Sequence, residues 1–151
     1  MLREFHQHPM QYSDPKTEPV TFLIVFAHGS KVQEANAVFV HLAAEVAHQS
    51  GLPARAAFLE IAPPDLGSAV TAAVRDGARR VVIAPAFLTI GRHVSEDLPR
   101  LLREQQTAHP GIEILAGQSL EGHPGLATLL VDRVRQALAD AAVVSMANRR
   151  G

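Results

Sequence analysis

Two apolar runs, each leading into a turn that carries glycine and histidine, constrain this chain more than any other feature. Phe22 to Ala27 holds no charge and is followed by His28-Gly29-Ser30; Val81 to Leu88 is followed within a few residues by Gly91-Arg92-His93. Runs of this kind suit central parallel strands buried on both faces. Helical stripes alternate with them. Ala35, Val38, Phe39, Leu42 and Val46 precede Gly51, and Leu66, Ala69, Val70, Ala73 and Val74 precede Gly77. Ala54 to Leu59 reads as a weaker second strand, because Arg55 interrupts it, and Ile112 to Leu115 as a short fourth.

Prolines punctuate the pattern. Pro63-Pro64 is expected to open the second helix, and Pro85 to mark the end of the third strand or a bulge. Leu98, Leu101 and Leu102 imply a third helix that starts between Val94 and Pro99, and Pro124 opens a fourth with Leu126, Leu129, Leu130, Val134 and Leu138. The alternation predicts one α/β domain of flavodoxin-like plan. Its sheet has four parallel strands in the order 2-1-3-4, joined by right-handed crossovers, with helices on both faces. Residues 1–19 read as a tail, 20–144 as the domain and 145–151 as a frayed end.

In an open sheet of this order, ligands gather beyond the carboxyl ends of the strands, where the order reverses. His28, Glu60 at the end of the second strand and His93 all fall near that edge. Two imidazoles and a carboxylate suit divalent cobalt, nickel, iron or zinc with coordination positions left open, and an imidazole also exchanges protons near neutrality. Gly29 and Gly91 would let a backbone turn or a flat ligand approach closely. The plainer alternative is that both histidines cap helices or bond the backbone, and that Glu60 is a solvated strand-end charge. Asp97 and His123 read first as helix-start residues. His41, Glu45 and His48 share part of a helix but flank its apolar stripe, so a solvated surface is expected there.

Composition narrows the classes. A net charge of −1 provides no basic field for nucleic acid, and no run reaches a membrane span. The chain has no cysteine, which excludes thiolate chemistry and fits a cytoplasmic protein. Neither a phosphate-binding loop nor a dinucleotide fingerprint is present, so no organic cofactor is expected. A flavin site is disfavoured by the single tyrosine and absent tryptophan, and a serine hydrolase by the lack of a nucleophile elbow at Ser30.

The ordered motifs resemble the small class II chelatases, which insert cobalt, iron or nickel into sirohydrochlorin. They are Ala27-His28-Gly29-Ser30, Phe58-Leu59-Glu60 with Pro64 after it, Pro85-Ala86-Phe87-Leu88, Gly91-Arg92-His93, Asp97-Leu98-Pro99 and Gly122-His123-Pro124. The resemblance covers roughly residues 21–138. It implies a metal site of His28 and His93, with His28 accepting pyrrole protons and Glu60 serving the metal or a proton path. It also implies that Phe87, Leu88, Thr89, Ile90, Gly91 and Arg92 lie against the tetrapyrrole. Arg92, Lys31 and Ser30 are candidate anchors for the carboxylates of the substrate. Lys31 and Pro63 depart from the family, where arginine and a second glutamate are common. The expected activity is insertion of a divalent metal, Co²⁺ first and Fe²⁺ or Ni²⁺ next, in cobalamin or sirohaem synthesis. A non-catalytic metal or tetrapyrrole carrier is the alternative. One lobe covers a macrocycle poorly, so a homodimer is expected.

Overall fold

A computed structural model describes residues 18–148; the side chains of Arg92, His93, Ala147 and Asn148 lie outside the described residues. Most of the expected tail, residues 1–17, lies outside them as well. Strands β1 (Thr21–Ala27), β2 (Ala54–Phe58), β3 (Arg80–Pro85) and β4 (Glu113–Ala116) alternate with helices α1 (Gln33–Ser50), α2 (Leu66–Arg75), α3 (Arg92–Ala108) and α4 (Gly125–Asn148). The sheet is parallel with the order β2-β1-β3-β4, as the alternation predicts.

Side-chain alternation on the strands sorts the core into two layers. Phe22, Ile24 and Phe26 of β1 join Val81 and Ile83 of β3 beneath α2 and α3. Val25, Ala27, Ala56 and Phe58 face the other way, where Ala43, Phe39 and Val46 of α1 cover them. Edge-on ring pairs bind each layer: Phe26 with Phe87 at 5.7 Å and Phe39 with Phe58 at 6.4 Å. Arg55 does not break β2. Its guanidinium lies 5.5 Å over the Phe22 ring and pairs with Asp76 at 2.7 Å, so the charge reaches the sheet margin while the stem stays against the core.

Several boundaries differ from the sequence reading. Helix α2 begins at Leu66 rather than at Pro63-Pro64, because Asp65 caps it by accepting the Ser68 N–H at 2.7 Å. Helix α3 begins earlier than expected, at Arg92, and carries Pro99 inside it. Pro85 ends β3. Helix α4 continues past residue 144 to Asn148. No helix among the described residues is long and apolar enough to cross a membrane.

Candidate active site

The β1–β2 ladder continues past the ends of both strands. Leu59 N–H donates to the Ala27 carbonyl at 2.8 Å and Glu60 N–H to the His28 carbonyl at 3.1 Å. Backbone pairing therefore carries His28 and Glu60 off the sheet side by side, and His28 Nε2 stands 3.4 Å from Glu60 Oε1. Both side chains are more than half exposed. The alternative of a histidine that only caps a helix does not describe His28.

Gly29 makes this approach possible. Its φ of +95° lies in the region that glycine alone tolerates, and a Cβ built there would stand 2.1 Å from the Glu60 carbonyl oxygen. Gly91 is different: its φ is −71° and open space surrounds it. The conformational argument thus holds for the first glycine and not for the second. Asn36 of α1 fixes the loop after Gly29, accepting the Ser30 N–H at 2.9 Å and donating to the Ser30 carbonyl at 2.8 Å, while Ser30 Oγ accepts the Val32 N–H. Opposite, Ile61 has φ of +71°, an uncommon angle for a β-branched residue, directly after Glu60.

Clefts open on both sides of His28. One, of about 370 Å³, is lined by His28, Leu59, Glu60, Asp97, Arg100 and Leu101. The other, of about 320 Å³, lies between α1 and the segment that leaves β3, with Asn36, Phe39, Ala86 and Thr89 in its wall. In the first, Arg100 is held by Asp97 at 3.0 Å and Glu104 at 2.6 Å. Hydrogen bonding to Asp97 and then Glu104 raises its already high pKa, so it stays cationic. Asp97 thus braces a guanidinium rather than capping α3.

The segment predicted to meet a ligand divides in two. Phe87 is buried against Phe26, whereas Leu88, Thr89, Ile90 and Gly91 are exposed. His93 stands in the first turn of α3, and its side chain and that of Arg92 lie outside the described residues. Lys31 is exposed. His123 Nδ1 accepts the Gly125 N–H at 3.0 Å and caps α4, in line with its helix-start reading. Among the described residues no three histidine or acidic side chains converge on one metal position. Arg100 and Asn36 were missed at the sequence level. Asn36 is a polar residue inside an apolar stripe, a weak signal; Arg100 gave none.

A four-stranded parallel sheet with a histidine–carboxylate pair beyond the carboxyl ends of β1 and β2 defines a class of α/β domain, and comparison specifies which. The CbiX family profile matches residues 22–137, and the chain belongs to that family. A chloroplastic sirohydrochlorin ferrochelatase from Arabidopsis thaliana is 32% identical over 117 residues, 77% of this chain and 52% of the relative. A sirohydrochlorin cobaltochelatase from Methanocaldococcus jannaschii is 33% identical over 81 residues, 53% of this chain and 57% of the relative. The crystal structure of a CbiX protein from Marinobacter aquaeolei VT8 superposes with a TM-score of 0.70 at 28% identity, covering 80% of this chain and 98% of the other. The chain spans about half the length of these two curated relatives.

Proposed function

We propose that this chain is a sirohydrochlorin chelatase, with a divalent metal as substrate. The observation that carries the reading is the His28–Glu60 pair at 3.4 Å, exposed between two clefts at the carboxyl edge of a CbiX-family sheet. Co²⁺ is the favoured metal and Fe²⁺ or Ni²⁺ the others; relatives named for cobalt and for iron support both. The product would enter cobalamin or sirohaem synthesis, in the cytoplasm.

Metal insertion requires two pyrrole N–H protons to leave. In this reading His28 takes the two ring protons in turn and Glu60, within reach and open to water, passes each to solvent. His28 and His93 hold the incoming ion with too few ligands to retain it, as delivery into four ring nitrogens demands. Leu88, Thr89 and Ile90 offer an exposed shelf to the macrocycle face, and the proposed substrate segment runs on through Gly91 to Arg92. Phe87 supports that shelf from the core, and Arg100, which lines the cleft beside His28, would meet a substrate carboxylate. A macrocycle about 15 Å across exceeds what one lobe encloses, so the proposal includes a homodimer, two copies supplying what a chain of twice this length contains.

The test is anaerobic turnover of sirohydrochlorin with excess Co²⁺, followed by visible absorption, for wild type, His28→Ala, His93→Ala and Glu60→Gln. Many turnovers in wild type and a loss of about 10²-fold or more in each histidine variant are expected. Binding of one ring or one ion per site without turnover would move the protein to the carrier class.

A further inference from the structure

The Glu60 carbonyl accepts the N–H of Ala62, two residues on, at 2.8 Å, and Ile61 between them has φ of +71°. The bond and the angle together define a γ-turn of the positive-φ form, which is rare and strained. A β-branched side chain makes it more so. The turn is tied on every side. Leu59 N–H and Glu60 N–H donate to the Ala27 and His28 carbonyls, and Phe58 N–H donates to the Pro64 carbonyl at 2.9 Å. The Glu60 carbonyl also rests over Gly29, where only a missing Cβ admits it. Strained backbone persists where its surroundings over-determine it in this way, and such places gather at ligand sites.

In the free chain the Ile61 side chain does not compensate for that strain. It is 56% exposed and lies in neither layer of the core. It stands at the rim of an open cleft of about 540 Å³, beside Ala62, Pro63 and Pro64. Its place in the fold is more telling. Strand β1 lies between β2 and β3, so the segments that leave those two strands flank His28 at the carboxyl edge, about 10 Å apart. Leu88 and Ile90 leave on the β3 side, exposed, and Ile61 leaves on the β2 side. Large apolar side chains thus stand in solvent on both sides of the His28–Glu60 pair.

We propose that Ile61 is a substrate contact, a preformed apolar post that meets the tetrapyrrole on the β2 side while Leu88 meets it on the β3 side. The inference rests on the chelatase reading and names a further residue that grips its substrate. Covering Ile61 with the ring removes apolar surface from water, and a turn already rigid loses little freedom on binding. A contact of this kind holds the ring equally before and during metal insertion, so it governs affinity rather than rate.

Three full-length variants test this. Ile61→Gly removes the side chain and the strain together. Ile61→Asn keeps a side chain that tolerates positive φ but is polar, which controls for a loosened loop, and Ile61→Leu keeps the apolar bulk. Each is titrated anaerobically with metal-free sirohydrochlorin, followed by absorption, alongside thermal melts and cobalt-insertion kinetics. The Gly and Asn variants should melt no lower than wild type, yet bind the ring about 5-fold or more weakly, with KM rising alike and kcat within about twofold. Ile61→Leu should bind within about twofold of wild type. Lost affinity in a protein that is no less stable is a result that a merely structural side chain does not give. Gly and Asn variants that bind as wild type does would refute the contact and leave the chelatase reading standing. So would weaker binding with a lowered Tm, or a Leu variant as weak as Asn. A wild type that neither binds nor metallates sirohydrochlorin refutes the chelatase reading, and the contact with it.

Discussion

Gly29→Ala would strike the place where backbone geometry lets the Glu60 segment approach His28. The added Cβ would stand 2.1 Å from the Glu60 carbonyl oxygen, far inside van der Waals contact. Relief requires the Glu60 segment to retreat by about 1 Å or more, since carbon contacts settle near 3.5 Å. That retreat strains the 3.1 Å bond from Glu60 N–H to His28 and the 2.8 Å bond from Ala62 N–H to Glu60, each contributing about 1 kcal/mol. Holding a non-glycine residue at φ of +95° costs about 1–2 kcal/mol more. The total approaches ~3 kcal/mol, a fall of roughly 10 °C in Tm for a domain of this size. The same 1 Å carries Glu60 away from His28, and a displacement of that order can cost about 10²-fold in rate. Thermal melts and cobalt insertion followed by absorption read the two effects, with Gly111→Ala, surrounded by open space, as the stability control. A Gly29→Ala protein that melts within a degree of wild type and turns over at its rate would refute the reasoning.

Asp65→Ala should cost about 1 kcal/mol at neutral pH, mostly through the lost cap bond, because the carboxylate faces water. The Ser68 N–H and then its hydroxyl hold Asp65 below its ordinary value of 3.8, so its contribution is present above that pH and is lost as pH falls through the lower folded value. Denaturant midpoints of wild type and Asp65→Asn should therefore converge in acid; a constant gap down to pH 2 would count against the charge. Ile61→Gly should stabilise by about 1 kcal/mol by releasing a β-branched side chain from positive φ, and a lowered Tm would contradict that. Phe87→Ala should cost about 3–5 kcal/mol, since the ring is buried against Phe26, whereas Leu88→Ala should leave the melt nearly unchanged and weaken only substrate binding. Equal melts for the two variants would show that Phe87 is not core.

The sheet was legible because its strands are buried on both faces, and such strands announce themselves as apolar runs. What failed were the edges of helices. Pro63-Pro64 is a sound helix-start signal, but Asp65 one residue on supplies an acceptor for the Ser68 N–H, and a bonded cap overrides a fixed φ. Leucine spacing brackets the start of α3 only between Val94 and Pro99; the helix begins at Arg92 and passes through Pro99, losing one rung while Leu98, Leu101 and Leu102 stay packed on the α2–α3 side of the core. The exposure of Leu115 on β4 and of Leu129, Leu130, Val134 and Leu138 on α4 could not be read at all, because a stripe of leucines and valines predicts burial without naming what buries it.

The site divides along the same physical line. His28 and Glu60 meet because β1 and β2 pair in register, Ala27 beside Phe58, and the ladder runs on for two further bonds; the meeting follows from counting residues past the strand ends. Arg100 arrives by another route, two turns into α3, and its position depends on how that helix packs, a quantity no local pattern encodes. Residues set by strand register are thus the ones sequence can place, and residues set by helix packing are not. This places His28 and Glu60, the proposed proton-handling pair, under tighter geometric control than the cation beside them. In the proposed reading, chemistry that needs fixed separation would be carried by the sheet, and Arg100, which would need only to lie within reach of a long carboxylate arm, by the helix.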